Sequence, residues 1–262
     1  MVNKIMRTIV FSLIILMALF ACGQKNVVTD ENTHKINKME ISDTFLNADG
    51  TTTVIHALMH ASLRIESGGL EIEIDPVAKL GNRTVDYSQM PEADLILVTH
   101  EHFDHFDTAT IKQLSTESTI TVMPPHCHEL SGLGQVLSNG LTLNIAEDVT
   151  VEAVPAYNTT KGREKFHPKG RDNGYVLTLN GLRIYIAGDT EDIPEMSHLH
   201  NIDIAFLPCN QPYTMTVEQL IRVARIIKPK VLYPYHYSQT DISALPSLLQ
   251  DDGIDVRIRP FD

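Results

Sequence analysis

The chain has 262 residues, 43% hydrophobic and 21% charged, an ordinary globular balance long enough for one large core or two fused halves. Its formal charge of −12 argues against a nucleic-acid partner, which would normally demand a basic patch. The same charge says little about a substrate, because bound metal ions supply local positive charge that the count omits.

The first residues read as an export signal. Lys4 and Arg7 precede the run Ile9 to Ala21, apolar except for Ser12 and shorter than the roughly 20 residues that span a bilayer. The run ends in "LFAC", which resembles a bacterial lipobox. Leu19, Ala21 and Cys22 match that pattern, and Phe20 departs from it because a smaller residue is usual there. The expectation is a signal peptide over 1–21, a lipidated Cys22 opening a polar, aperiodic tether over 22–38, and one folded domain over 39–262. It places the protein outside the cytoplasm, lipid-anchored to the bacterial envelope on the periplasmic or outer surface. A plain signal peptide with a chance cysteine is the alternative. Cys127 and Cys209 remain, and two cysteines alone do not imply a disulfide.

From Thr51 the pattern is rich in strands. "TTTVIHAL", "ASLRIES" and "LEIEIDP" are short, β-prone and separated by turn signals. "DLILV" follows, then a helix at "TATIKQLS", a strand at "TITVMP" and a strand pair at "LTLNIA" and "VTVEAVPA". "GYVLTLNGLRIYIAGD" predicts a hairpin turning on Asn180-Gly181. "IDIAFLP", the amphipathic "TVEQLIRVARII", "KVLYPY", the helix "ISALPSLLQ" and a last strand "VRIRPF" complete the order. Many strands with few helices point to an α/β fold of two sheets packed face to face with helices outside, a four-layer αββα sandwich.

Several of these strands deliver polar residues at their carboxyl ends, where α/β sheets place their sites. "DLILV" leads to His100, "VEAVPA" to Tyr157 and Asn158, "RIYIAG" to Asp189 and "VLYPY" to His236. The densest is "VTHEHFDHFD". His100 and His102 are two apart, so in extended chain both imidazoles point the same way and can hold one ion. Asp104 and His105 lie beyond a turn and can face a second. Such ligands suit zinc, and a held ion brings the pKa of its water to about 7.

The spacing His100-x-His102-x-Asp104-His105 resembles the metal-binding signature of the metallo-β-lactamase superfamily. "MHASLRIESGGLEIEIDP" resembles the opening strands of the branch that includes L-ascorbate-6-phosphate lactonases and N-acylphosphatidylethanolamine phospholipase D. The resemblance implies an αββα fold, a dinuclear centre and hydrolysis by metal-bound hydroxide of a phosphoester, lactone, amide or similar bond. It implies His100 and His102 on a first ion, Asp104, His105 and His236 on a second, and Asp189 between them. It also implies that Asp104 orients the attacking water and accepts its proton. The cofactor expected is one or two divalent ions, zinc first, with manganese or iron as alternatives.

One position departs. Where the superfamily usually has a further histidine, this chain has Asn158, so the first ion is held more loosely, recruits another group such as His60 or His167, is a harder metal such as manganese, or is absent. His60 either lines the site or packs, and His167 either leans over the rim or lies in a loop. Lys161, Arg163, Lys165, Lys169 and Arg171 either draw a small anionic substrate or form a solvated basic loop. His56, the "PHCHEL" trio His126, Cys127 and His128, and His198 and His200 read as ordinary strand, helix-start and surface residues. The rival from another class is a non-catalytic lipoprotein that captures or senses metal.

Overall fold

The structure is a computed structural model that describes residues 41–261. The expected signal peptide, Cys22 and the tether lie outside the described residues.

The first sheet is opened by β1 (Ser42–Leu46), β2 (Thr52–Met59), β3 (Ser62–Ser67) and β4 (Leu70–Ile74), paired antiparallel in that order. A small separate ribbon follows, β5 (Lys79–Leu80) with β6 (Arg83–Thr84). The first sheet then resumes parallel with β7 (Leu95–Leu97), β8 (Ile120–Met123) and β9 (Gln135–Val136). Helices α1 (Thr108–Leu114) and α2 (Pro125–Ser131) connect these last strands. The second sheet repeats the plan. β10 (Thr142–Ala146), β11 (Val149–Ala156), β12 (Asp172–Leu179) and β13 (Leu182–Ile186) are antiparallel. β14 (Ile204–Pro208), β15 (Val231–Tyr235) and β16 (Asp255–Val256) extend it parallel, with α3 (Val217–Ile227) and α4 (Leu245–Leu249) on its outer face.

The alternation of side chains along the central strands decides the layers. On β14, Ile204 and Phe206 join the core between the sheets, while Ala205 and Leu207 face outward beneath Leu220, Val223 and Ala224 of α3. On β7, Leu95 and Leu97 point in, and Ile96 points out under Ile111 and Leu114 of α1. Strands buried on both faces read as unbroken apolar runs, which is why "DLILV" and "IDIAFLP" show no alternation. The result is the expected αββα sandwich. The Asn180-Gly181 hairpin forms as read, with both residues at positive φ (48° and 87°) as a two-residue turn of this type requires. Helix α3 starts on a capping box, Thr216 accepting from Gln219 N and the Gln219 side chain accepting from Thr216 N.

Some elements differ from the sequence reading. β1 and β9 are edge strands too short and polar to announce themselves. Only Val256 of "VRIRPF" lies in β16; Arg257 N adds one bond to Leu232 O, and beyond it Pro260 has no N–H and the chain end is used otherwise. Arg257 and Arg259 fork onto Asp43 of β1 at 3.0 and 2.7 Å, and Phe261 is fully buried between the sheets. Cys127 and Cys209 are buried free thiols on opposite outer layers, Cys127 on the inner face of α2 and Cys209 near α3. No helix among the described residues is long and apolar enough to cross a membrane.

The sheets are tied at the end that carries the histidine motif. Tyr175 Oη on β12 donates to Val98 O at 2.7 Å, and Asn173 N donates to Thr99 O at 3.0 Å. Tyr175 is fully buried, so its loss would strand a carbonyl away from water. Tyr175→Phe should therefore lower unfolding stability by about 1–3 kcal/mol. A urea melt of the ion-free protein checks this, and an unchanged midpoint would show that the tie contributes nothing.

Candidate metal centre

The motif loop is clamped before it carries any ligand. Asp75, fully buried after β4, accepts from Thr99 N at 2.7 Å through one oxygen. Its other oxygen accepts from Thr99 Oγ1 at 2.6 Å and lies 2.8 Å from His105 Nδ1. This fixes the His105 ring with Nε2 turned inward. Beyond the ligands, Asp107 caps α1 by accepting from Ala109 N and Thr110 N. Thus the last acid of "HEHFDHFD" is structural, and Asp75, which the sequence reading passed over, orients His105, a candidate ligand.

Two groups of potential ligand atoms result, each with its atoms within 4.8 Å of one another. One comprises His100, His102, His167 and Asp189, the other His60, Asp104, His105 and His236. Asp189 joins them. Its Oδ1 is 3.4 Å from His105 Nε2, and its Oδ2 is 3.3 Å from both His167 Nε2 and His236 Nε2. All six residues expected on metal, His100, His102, Asp104, His105, Asp189 and His236, are brought together. His105 Nε2, His167 Nε2, His236 Nε2 and Asp189 Oδ1 are buried without a hydrogen-bond partner. Buried polar atoms are rarely orphaned, and these converge on Asp189. Imidazole and carboxylate donors so placed fit one or two divalent ions.

The charges in this pocket are strongly perturbed. Burial, and then the charge of His105, push His100 well below the usual imidazole range. Burial also lowers His102. Burial opposes charge on His105, yet Asp189 and the hydrogen-bonded Asp75 outweigh it and lift His105 to about 10. His167 is likewise lifted to about 9, against burial, by Asp172 at 3.1 Å and by Asp189. Asp104 and Asp189 are held far below the carboxylate range despite burial, Asp104 by the imidazoles of His236 and His60, Asp189 by His236 and His105.

His60 therefore sits in the site, 3.1 Å from Asp104 Oδ2, and His167 takes the place on the first group that Asn158 left open. Asn158 keeps one amide atom unpartnered, its buried Oδ1. Its Nδ2 donates to Tyr213 O at 2.7 Å and Arg163 O at 3.3 Å, and its backbone N–H donates to His167 O at 2.9 Å. Tyr157 does not line the site; its ring packs in the outer core and its hydroxyl donates to Glu195. The basic loop is largely neutralised. Arg163 faces Glu191, Lys169 faces Glu195, and Arg171 bridges Glu101 and Asp172, tying the His167 loop to the motif loop. His56 pairs with Glu66, His128 Nδ1 lies 2.8 Å from Leu133 O within the α2 region, and His198 and His200 are exposed, as ordinary residues would be.

Above the cluster opens a cavity of about 450 Å³, lined by His60, His102, Asp104, His167, Asp189 and His236 with Leu80, Phe103, Phe166, Asn210, Tyr213 and Ser238. A hollow of about 430 Å³ between α1 and β8 contains none of the ligand residues.

The chain matches the model of the Beta-lactamase superfamily domain over residues 54–236. It is 30% identical over 218 residues to a UPF0173 metal-dependent hydrolase of Geobacillus thermodenitrificans, covering 77% of this chain and 90% of that one. A UPF0173 metal-dependent hydrolase of Archaeoglobus fulgidus is 27% identical over 219 residues, covering 77% and 92%. Among solved structures, a protein of Parabacteroides distasonis assigned as a metal-dependent hydrolase is 49% identical with a TM-score of 0.82, covering 85% of this chain and all of that one. Igni18, a metallo hydrolase of Ignicoccus hospitalis, shares the fold at 23% identity and a TM-score of 0.67, covering 80% and 95%. With the ligand cluster in place, these likenesses make the chain a member of the metallo-β-lactamase superfamily and, within it, of the UPF0173 metal-dependent hydrolases.

Proposed function

We propose that the chain cleaves a phosphoester, lactone, amide or similar bond at a two-ion centre. His100, His102 and His167 would hold one ion and Asp104, His105 and His236 the other, with Asp189 touching both. Zinc suits this imidazole and carboxylate set best, with manganese or iron as alternatives. The observation that carries the reading is the set of orphaned buried ligand atoms on both sides of Asp189. Bound divalent ions would supply Lewis acidity and a water that ionises near neutral pH.

The remaining roles fall to the chain. Asp104 is held ionised, so it can orient a water toward the cavity, but a carboxylate so far below its usual range is a poor place to rest a proton. His60, 3.1 Å from it, is the group that can receive that proton and return it to the leaving group. The outward side of the cluster faces the cavity, where the scissile bond would sit.

Metal uptake gives one test. In the ion-free protein His105 and His167 carry protons at pH 7, and an imidazolium cannot coordinate. Uptake must expel those protons, one at each ion, so apparent zinc affinity should rise with pH toward 9–10 and fall in acid, by up to about 10-fold per pH unit at each binding step. His167→Ala should weaken one binding step by on the order of 10²-fold. Asn158→His should not tighten it, because His167 already occupies that side. Competitive zinc titrations at pH 6.5 and 8.5 decide; a tighter Asn158→His protein would restore residue 158 to the ligand set.

Turnover gives another. In a hydrolysis screen over phosphodiesters, lactones and acyl amides, Asp104→Asn should lower kcat by about 10²-fold or more. His60→Gln should lower kcat by about 10–100-fold while metal content stays at the wild-type value. Loss of metal from His60→Gln would instead make His60 a ligand.

We also propose that the protein is exported and lipid-anchored through Cys22. Lys4, Arg7, the apolar run and "LFAC" support this. Labelled fatty acid should enter the wild type and not Cys22→Ala; equal labelling of both excludes the anchor.

A further inference from the structure

The cavity above the cluster has two unlike ends. Its floor is ionic, whereas its rim is formed by Leu80, Phe103, Phe166 and Tyr213. Phe103 stands between His102 and Asp104, in the metal motif itself, and is 76% exposed. A large ring left in water beside a binding cavity marks a surface kept for a ligand. Phe166 and Tyr213 meet edge-to-face with ring centroids 5.0 Å apart, and Tyr213 is 45% exposed. Their two loops are joined by the Asn158 amide, which bonds Tyr213 O and Arg163 O. This wall is therefore built before any ligand arrives.

Charge narrows the choice. Among the described residues, no lysine or arginine lines the cavity. Arg163, Lys169 and Arg171 of the adjacent loop are engaged by Glu191, Glu195 and Glu101. The remaining polar lining, Asn210 and Ser238, is neutral, and Asn210 Nδ2 donates to Ser238 Oγ at 3.2 Å. One cation stands at this rim without lining the cavity, Lys165, whose Nζ lies 5.0 Å from the Phe166 ring centroid; beyond the ionic floor the lining itself offers an arm three aromatic rings and no side-chain cation.

We propose that the substrate is a small molecule with an uncharged aliphatic or aromatic arm next to the bond that is cut. The bond lies over the Asp104 and Asp189 floor, and the arm lies on Phe103, Phe166 and Tyr213. This rests on the two-ion centre proposed above, so the test separates the two. Straight-chain alkyl hydroxamates from two to ten carbons are titrated calorimetrically into the zinc-loaded protein. Their shared head group reports the metal centre, and their chain reports the rim. Affinity should rise about 2–4-fold per methylene over the first several carbons. Phe103→Ser, a change at an exposed position, should flatten that slope. An equal-length hydroxamate ending in a carboxylate should bind at least about 10-fold more weakly than its alkyl counterpart. A flat slope in the wild type, an unchanged slope in Phe103→Ser, or equal binding of the carboxylate overturns the apolar arm while leaving the centre standing. Absence of binding at every length removes the centre and this inference together. If Phe103→Ser instead reduces binding to phosphatidylglycerol vesicles and leaves the slope intact, the ring serves a membrane surface and the proposal fails.

Discussion

The centre depends on a carboxylate that could not stand alone. Asp189 is 3% exposed, and moving an unpaired carboxylate to such a place costs several kcal/mol even after relaxation. It is tolerated because its oxygens lie 3.3–3.4 Å from His105, His167 and His236. Two of these, His105 and His167, are lifted to about 10 and 9, so without ions they balance the acids as imidazolium. The same nitrogens are the ones a divalent ion would claim. Protons and metal thus compete for one set of atoms, and the fold can form its site before it is loaded. Asp75 and Asp172 sharpen the arrangement from behind, each facing the Nδ1 of one histidine and leaving its Nε2 toward Asp189.

Holding these groups together requires the two sheets to approach closely at one end. The turn carrying Asp189 passes so near the motif loop that Gly188 has no room for a side chain. A Cβ there would lie 2.8 Å from Asn173 O and 3.2 Å from Thr99 Cβ, and its φ is +63°. Tyr175 and Asn173 span the same gap by bonding Val98 and Thr99. The ligands from the first sheet and the aspartate from the second are therefore positioned by backbone contacts rather than by loop conformation alone, which is what a site needing sub-ångström placement demands.

What could be read from the chain follows the same physics. Candidate ligands at strand ends were legible, because a strand is a fixed mount and its apolar run is visible: His100, His102, Asp189 and His236 were all singled out that way, and the structure brings them together. His167 was only a candidate, since it arrives through an aperiodic loop and its place is set by Asn158 N–H to His167 O and by Arg171 gripping Glu101 and Asp172. The available signal was Asp172, five residues on and at the start of a strand. Asn158 is the converse case. It stands at a strand end, yet its Nδ2 is spent joining two loops, and only its buried Oδ1 is left without a partner. β1 was illegible because edge pairing leaves little apolar pattern, whereas "VRIRPF" was read as a strand of which the structure keeps only Val256.

Strain supplies the last piece. His60, Asp75 and His236 are non-glycine residues with φ of 59°, 44° and 47°, a region that costs a residue with a Cβ about 1–2 kcal/mol. All three are at the centre. Such conformations persist only where the surroundings over-determine them. His236 N donates to His60 O at 3.1 Å, and His60 N donates in turn to Phe261 O, which also receives an Arg83 N–H. Phe261 is anchored by its buried ring, and the segment before it by Arg257 and Arg259 on Asp43. The chain end that failed to become a strand is thereby accounted for. It is the strut that keeps His60 and His236 in a backbone conformation neither would adopt alone, with their rings 3.8 Å apart beside Asp104.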